Sequence, residues 1–180
     1  TRLATEGSVR VDDTTFAVRG TSWMDHEIST SQLDADQVGW DWFSLQLADG
    51  RDLMLYLLRR SDGSVDHAQG TLVEKDGNSR RLAAREFTVT ATGASATTPS
   101  GTTYPARWRV RVEGAGIDLD VRTRIPAQEN ARPLIEGLRY SGGSVVLTQN
   151  GAPAGLGYVE LTGYGENAAV PLGEDRQAWR

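Results

Sequence analysis

Residues 38–59 read VGWDWFSLQLADGRDLMLYLLR, two runs of aromatic and aliphatic residues on either side of Asp49-Gly50. An Asp-Gly pair tolerates the positive φ of a tight turn, so the stretch reads as a β-hairpin. Closing it with Asp49-Gly50 as a two-residue loop sets Leu47 opposite Asp52, Leu45 opposite Met54, Phe43 opposite Tyr56 and Trp42 opposite Leu57. Both faces of the pair are then substantially apolar, which a sheet with one face in water would not tolerate. Each side must be covered. A barrel wall, with an apolar cavity inside and a neighbouring domain or helix outside, meets that requirement.

The same punctuation recurs at Asp62-Gly63, Asp76-Gly77, Gly142-Gly143 and Asn150-Gly151, so successive strands should follow one another as a meander. A second hairpin over 106–124 alternates Trp108, Val110 and Val112 with Arg107, Arg109 and Arg111, then Ile117, Leu119 and Val121 with Asp118, Asp120 and Arg122. A two-residue loop at Gly114-Ala115 puts Arg111 opposite Asp118, Arg109 opposite Asp120 and Val110 opposite Leu119. One face is core and the other a charge ladder. Three Arg on one strand could instead form an anion site, but the matching Asp residues favour ordinary surface pairs. Shorter strands are expected near Ser8–Val11, Phe16–Arg19, Ala68–Glu74, Arg85–Ala91, Leu134–Tyr140, Val145–Gln149 and Gly157–Tyr164, about ten in all. The acidic piece Ser31–Gln37 is the best candidate for a short helix, and the Gly, Ala, Ser and Thr-rich run 92–103 reads as a loop. The expectation is an all-β chain, an antiparallel meander closed into a lipocalin-like β-barrel, with a sandwich as the alternative.

A length of 180 residues allows one domain, 1–180, with a real core. Apolar residues make up 38% and charged ones 24%, too many of the former for a disordered chain, and the longest apolar run, Leu53–Leu58, cannot span a bilayer as a helix. The chain reads as soluble. No charged and apolar leader pattern opens it, and its compartment, whether periplasmic, secreted or membrane-peripheral, stays open. The absence of Cys removes thiolate nucleophiles and Cys-type zinc sites, leaving His26 and His67 as the imidazoles, without metal-ligand spacing. No metal and no cofactor is expected. A net charge of -5 argues against nucleic acid as a partner, and the 18 Arg against the single Lys75 are better read as coding bias.

The densest chemistry lies in Gly20-Thr21-Ser22-Trp23-Met24-Asp25-His26-Glu27. If extended, it presents Trp23, Asp25 and Glu27 on one face and Met24 and His26 on the other. Two carboxyls beside an indole form a candidate acid site, because apolar surroundings and a neighbouring like charge both favour a carboxyl that keeps its proton for donation. A solvated pair near a strand end is the alternative. His26 could pair with Asp25, although a lone His is more often structural. A second cluster, Gly155–Tyr164, alternates so that Tyr158, Glu160, Thr162 and Tyr164 share one face, either a stripe lining a ligand cavity or a tyrosine ladder on an ordinary sheet. No Ser-His-Asp arrangement or nucleophile-elbow pattern occurs, which disfavours serine hydrolysis.

Gly20-Thr-Ser-Trp-Met-Asp-His-Glu27, Gly39-Trp40-Asp41-Trp42-Phe43 and Asp52-Leu53-Met54-Leu55-Tyr56 resemble the AttH and carotenoid 1,2-hydratase (CrtC) family. Tyr104-Pro105, Gln128-Glu129, Glu136-Gly137 and Gly157-Tyr158-Val159-Glu160-Leu161-Thr162-Gly163-Tyr164 fit the same family in the same order, over nearly the whole chain. The resemblance implies a pair of lipocalin-like domains, of which this chain is the C-terminal one. Its expected partners are an apolar small-molecule ligand and either the N-terminal domain of the same protein or a second copy. It also implies a bulky isoprenoid, polyene or lipid-like ligand and acid-assisted hydration, isomerisation or cyclisation. Asp25, Glu27 and His26 would do the chemistry, and Trp23, Trp40, Trp42, Tyr56, Tyr158, Glu160 and Tyr164 would line the ligand. Non-catalytic lipid transport and a purely structural half are the alternatives. The chain departs from the family pattern at Leu134-Ile135, where an aromatic pair is expected, and at Thr1, which falls inside an upstream motif.

Overall fold

A computed structural model describes residues 1–28, 33–130 and 139–165. They fall into two compact units, 1–30 and 31–180. The first is a hairpin of β1 (Leu3–Val11) and β2 (Thr14–Ser22), paired from Leu3 with Ser22 to Val11 with Thr14. Asp12 turns the chain at a φ of 51°. Strict alternation sends Leu3, Val9, Val11, Phe16 and Val18 to one face and Glu6, Arg10 and Arg19 to the other.

The second unit is built on one antiparallel sheet. Its strands are β3 (Gln37–Leu47), β4 (Asp52–Arg60), β5 (Val65–Val73), β6 (Ser79–Ala83), β7 (Thr88–Ala91), β10 (Arg107–Val112), β11 (Ile117–Thr123), β12 (Glu129–Asn130), β13 (Tyr140–Gln149) and β14 (Ala152–Thr162). The strand order is 6-5-4-3-14-13-11-10-7, with β12 pairing β13. The first and last long strands, β3 and β14, lie side by side, which is the closing step of an up-and-down barrel. The ladder stops elsewhere, at β6 and β7, so the sheet is a curled open half-barrel rather than the closed barrel expected. A 3-10 turn, Ala84–Glu86, carries the chain from one edge to the other instead of a hairpin that would have paired them.

Inside the curl, Phe43, Leu45, Leu53, Leu55, Leu57, Leu72, Leu82, Val89, Trp108, Val110, Leu119, Val121, Val145 and Leu147 form one buried cluster. Phe43 meets Trp108 edge to face at 5.6 Å, across strands four places apart in the sheet, so the core closes on itself even though the ladder does not.

Three local expectations are corrected. The β3–β4 register is one residue off the two-residue-loop pairing: Leu45 faces Leu53, Phe43 faces Leu55 and Trp42 faces Tyr56. Ala48, Asp49 and Gly50 form a three-residue loop in which Gly50 takes a φ of 96°, so the same Asp-Gly pair closes a longer turn and sorts aliphatic residues inward. The run 92–103 contains β8 (Ser95–Thr97), paired with β9 (Thr103–Pro105). Residues 33–36 form a bend and a turn, and Gln37 already belongs to β3, so the helix expected over Ser31–Gln37 does not occur among the described residues. The strand expected over Leu134–Tyr140 lies outside the described residues up to 138, and Tyr140 opens β13. The β10–β11 register is as read from the charges, Arg111 with Asp118 and Arg109 with Asp120, around a four-residue turn ending at Gly116.

Candidate functional site

Neighbouring strands bring five of the expected ligand residues to one face of the sheet, opposite the core. Trp42 is flanked by Tyr56 on β4 and Glu160 on β14, Tyr158 lies across from Ser44, and Trp40 pairs with Leu58. Even-numbered positions on β3, β4 and β14 thus place Trp40, Trp42, Tyr56, Tyr158 and Glu160 together. Trp42 is buried, Trp40 and Tyr56 are half-buried, and Tyr158 is exposed.

Tyr140 on β13 joins them. Its hydroxyl hydrogen-bonds Glu160 and Tyr158, and burial together with the Glu160 charge holds its phenol well above the usual value. Burial and the same carboxylate also raise Tyr158. Gly142 lies between the two rings. A Cβ there would stand 2.7 Å from the Tyr158 hydroxyl and 3.0 Å from the Tyr140 ring, so only glycine lets both rings lie over the strand. Tyr140 escaped the sequence reading, although its place two residues before Gly142 on an alternating strand was a usable signal.

Tyr164 departs from the stripe expected of it. β14 ends at Thr162, and Gly163, at a φ of 69°, turns the chain so that Tyr164 drops to the core side. There it meets a buried polar group that sequence reasoning missed. Its hydroxyl donates to Asp41, 3.0 and 3.1 Å from the two carboxylate oxygens, and Arg59 donates from Nε to Asp41 at 3.0 Å and from Nη2 to the Thr162 carbonyl. The Arg59 guanidinium lies 4.1 Å over the Tyr164 ring. Burial pushes the Asp41 carboxyl up against the pull of Arg59 and Tyr164, while the Asp41 charge raises Arg59 despite its own burial. These directions pull apart, since a neutral Asp41 would leave Arg59 buried without a counter-charge. The pair is therefore ionic at neutral pH, with Asp41 easier to protonate than an ordinary Asp.

The Tyr164 ring packs 5.2 Å from Tyr104, whose hydroxyl donates to Glu129 at 3.0 Å. Glu129 also accepts from Thr98 at 2.9 Å, from Ser100 and from Arg139, and these bonds hold its carboxyl below the usual range against burial. Burial and Glu129 raise the Tyr104 phenol.

The Gly20–Glu27 segment is extended only as far as Ser22, the end of β2, so the alternation expected beyond it is not that of a strand. The Trp23 indole Nε1 nevertheless donates to Asp25 Oδ1 at 3.4 Å. Asp25, His26 and Glu27 are exposed. Among the described residues no group of three or more His, Cys, Asp or Glu is placed to hold a metal ion.

A family model described as AttH-like matches residues 1–164. A protein of Nitrosomonas europaea assigned as AttH is 30% identical and superimposes with a TM-score of 0.80, over 91% of this chain and 50% of that one. Kievitone hydratase of Nectria haematococca, 17% identical, shares the fold with a TM-score of 0.65 over 90% of this chain and 50% of that one. The chain thus spans about half the length of both structures, and no curated protein matches it. The chain belongs to the AttH-like family.

Proposed function

We propose that this chain is the ligand-binding half of a protein that takes a bulky apolar molecule, isoprenoid, polyene or lipid-like, and carries out acid-assisted hydration, isomerisation or cyclisation on it. The observation that carries this reading is the shared face of Trp40, Trp42, Tyr56, Tyr158 and Glu160, an aromatic surface with one hydrogen-bonded carboxylate set into it. Aromatic walls with a few placed polar groups are the usual lining of such sites. The inner face of the curl is filled by the core, so the ligand lies on the aromatic face. Family membership and the fold shared with a hydratase support the reaction class. The curled sheet is then the family's lipocalin-like barrel, with its seam between β6 and β7.

In the hydration, taken within the 1–30 unit alone, the Asp25 carboxyl gives its proton to one alkene carbon and the positive charge develops on the other, where the π face of Trp23, whose indole donates to Asp25, stabilises it. A water oxygen bonds to that carbon, and the proton it sheds returns to the carboxylate. Glu27 and His26 are the supporting residues of the same step. Asp25→Asn lowers turnover by about a hundredfold while leaving affinity within a few fold, and Glu27→Gln acts more weakly. Trp42→Ala weakens ligand affinity instead. Full turnover in Asp25→Asn would sink the assignment. Binding lost only in Trp42→Ala, from a protein without turnover, would establish the rival, a non-catalytic lipid carrier.

A second reading, packing against an N-terminal lipocalin-like domain or a second copy, is favoured by the β1–β2 hairpin. Leu3, Val9, Val11, Phe16 and Val18 stand 38–54% exposed on one face, and a continuous apolar patch of that kind marks an interface. Phe16→Glu should abolish self-association and hydrophobic-dye binding of the isolated chain in sedimentation and fluorescence measurements. A chain that is monomeric and dye-free from the outset ends this reading.

A further inference from the structure

A cavity of about 20 Å³ lies under the chain that follows β11, lined among others by Tyr104, Trp108, Gln128, Ser141, Gly143 and Leu161. Two of its walls carry buried polar atoms with no hydrogen-bond partner among the described residues, the Trp108 indole Nε1 and the Gln128 side-chain oxygen. One is a donor and the other an acceptor. Leaving either unsatisfied costs as much as a lost hydrogen bond, and both belong to residues that line this one cavity. The local backbone is arranged to bring Gln128 there. Ala127 takes a φ of 59°, a left-handed conformation that a residue with a Cβ rarely adopts, and Gly142 N–H anchors the Gln128 carbonyl at 3.3 Å. The Gln128 amide then lies over the bare Cα of Gly143, where any Cβ would overlap its oxygen. Strain held next to a glycine cradle is strain with a purpose.

We infer that Trp108 and Gln128 form a binding site for a single water molecule, which accepts from the indole N–H and donates to the Gln128 carbonyl oxygen. The volume admits one water, which needs at least about 10–15 Å³, and nothing larger. Ser141, buried on β13, is also a lining residue. Tyr104 lines the site as well, with its hydroxyl donated to Glu129.

The test is a water-exchange NMR experiment on the ¹⁵N-labelled chain, with the Trp108 indole signal assigned by its loss in Trp108→Phe. A long-lived water cross-peak to that indole is expected in the native protein. It should vanish in Gln128→Leu, which removes the acceptor, and in Gly143→Ala, which displaces the Gln128 oxygen from the strand. The remaining indole signals report that each variant is folded, and a crystal structure of the native chain should show one water within hydrogen-bond distance of both atoms. An indole without a cross-peak in the native protein, or a cross-peak that survives in both Gln128→Leu and Gly143→Ala, overturns the assignment.

Discussion

The same Arg–Asp chemistry occurs in two settings of this protein, and the contrast separates what charge pairs do for a fold. On β10 and β11, Arg107 pairs with Asp120, and Arg109 and Arg111 pair with Asp118, with arginine side chains 38–52% exposed. Elsewhere in the sheet, Arg59 and Asp41 make a 3.0 Å contact with side chains 4% and 10% exposed. The ladder stands in water and decorates a face the core does not need. The buried pair sits on core parity, beneath Tyr164 and against the last residues of β14, where no water replaces a missing partner. Solvent screening makes the first pair nearly dispensable, while desolvation makes each member of the second dependent on the other.

Removing Arg59 breaks the contrast at its strongest point. Arg59→Met should destabilise the chain by about 3–5 kcal/mol near neutral pH, because it leaves Asp41 buried without a counter-charge. The loss should depend on pH in a definite direction. Burial already raises Asp41 in the folded state, and without Arg59 it acts less opposed. A carboxyl with a raised folded value contributes stability that is fully present below its unfolded value of about 3.9 and is lost as pH rises through the folded one. Urea melts of Arg59→Met against the native chain should therefore converge as pH is lowered. A pH-independent gap would mean that Arg59 acts by packing alone. Replacing both residues, Asp41→Leu with Arg59→Met, should recover much of the loss.

How much of this was legible before the fold was known follows the same division. The register of the ladder could be read from alternation and matched charges, although the ion pairs run diagonally to it, with Arg107 rather than Arg109 on Asp120. The aromatic face of Trp40, Trp42, Tyr56, Tyr158 and Glu160 was legible as two separate clusters, and only the β3–β14 pairing joins them. Asp41 and Arg59 were hidden by their own neighbours. Asp41 lies between two tryptophans and Arg59 closes an aliphatic run, and their meeting depends on the β3–β4 register and on the reversal at Gly163. A local pattern cannot show a turn that exchanges faces, which is also why Tyr164 was assigned to the wrong side. A charged residue at core parity in a strand was the one available signal.

Tyr164→Phe sharpens the comparison at intermediate size. It keeps the ring under the Arg59 guanidinium and beside Tyr104 but removes the hydroxyl that donates to both Asp41 oxygens. A hydrogen bond to a charged group is worth about 1.5–3 kcal/mol, and that loss is expected in denaturant unfolding. Because the bond favours the ionised carboxyl, its removal should also let Asp41 protonate at a higher pH, so the native chain and Tyr164→Phe should differ more at neutral pH than in acid. An unchanged midpoint would show that the guanidinium alone satisfies Asp41.

The smallest effect belongs to the ladder. Arg109→Ala should cost less than about 1 kcal/mol, since an exposed pair gains little in water and must hold two long side chains in place. Asp118 has a second partner in Arg111, 3.0 Å away, so part of the lost attraction is retained. Hydrogen bonds from Arg109 and Arg111 hold the Asp118 carboxyl below the usual range. A depressed carboxyl contributes stability that is present above its unfolded value and lost as pH falls through the folded one, the opposite sense to Asp41. Whatever Arg109 contributes should accordingly fade in acid and in high salt, where the Debye length shrinks to about 3 Å at 1 M. Comparing the urea midpoints of Arg109→Ala and the native chain at low and high salt measures this directly. A loss that exceeds 2 kcal/mol or ignores salt would place the ladder in the same class as the buried pair and undo the distinction between them.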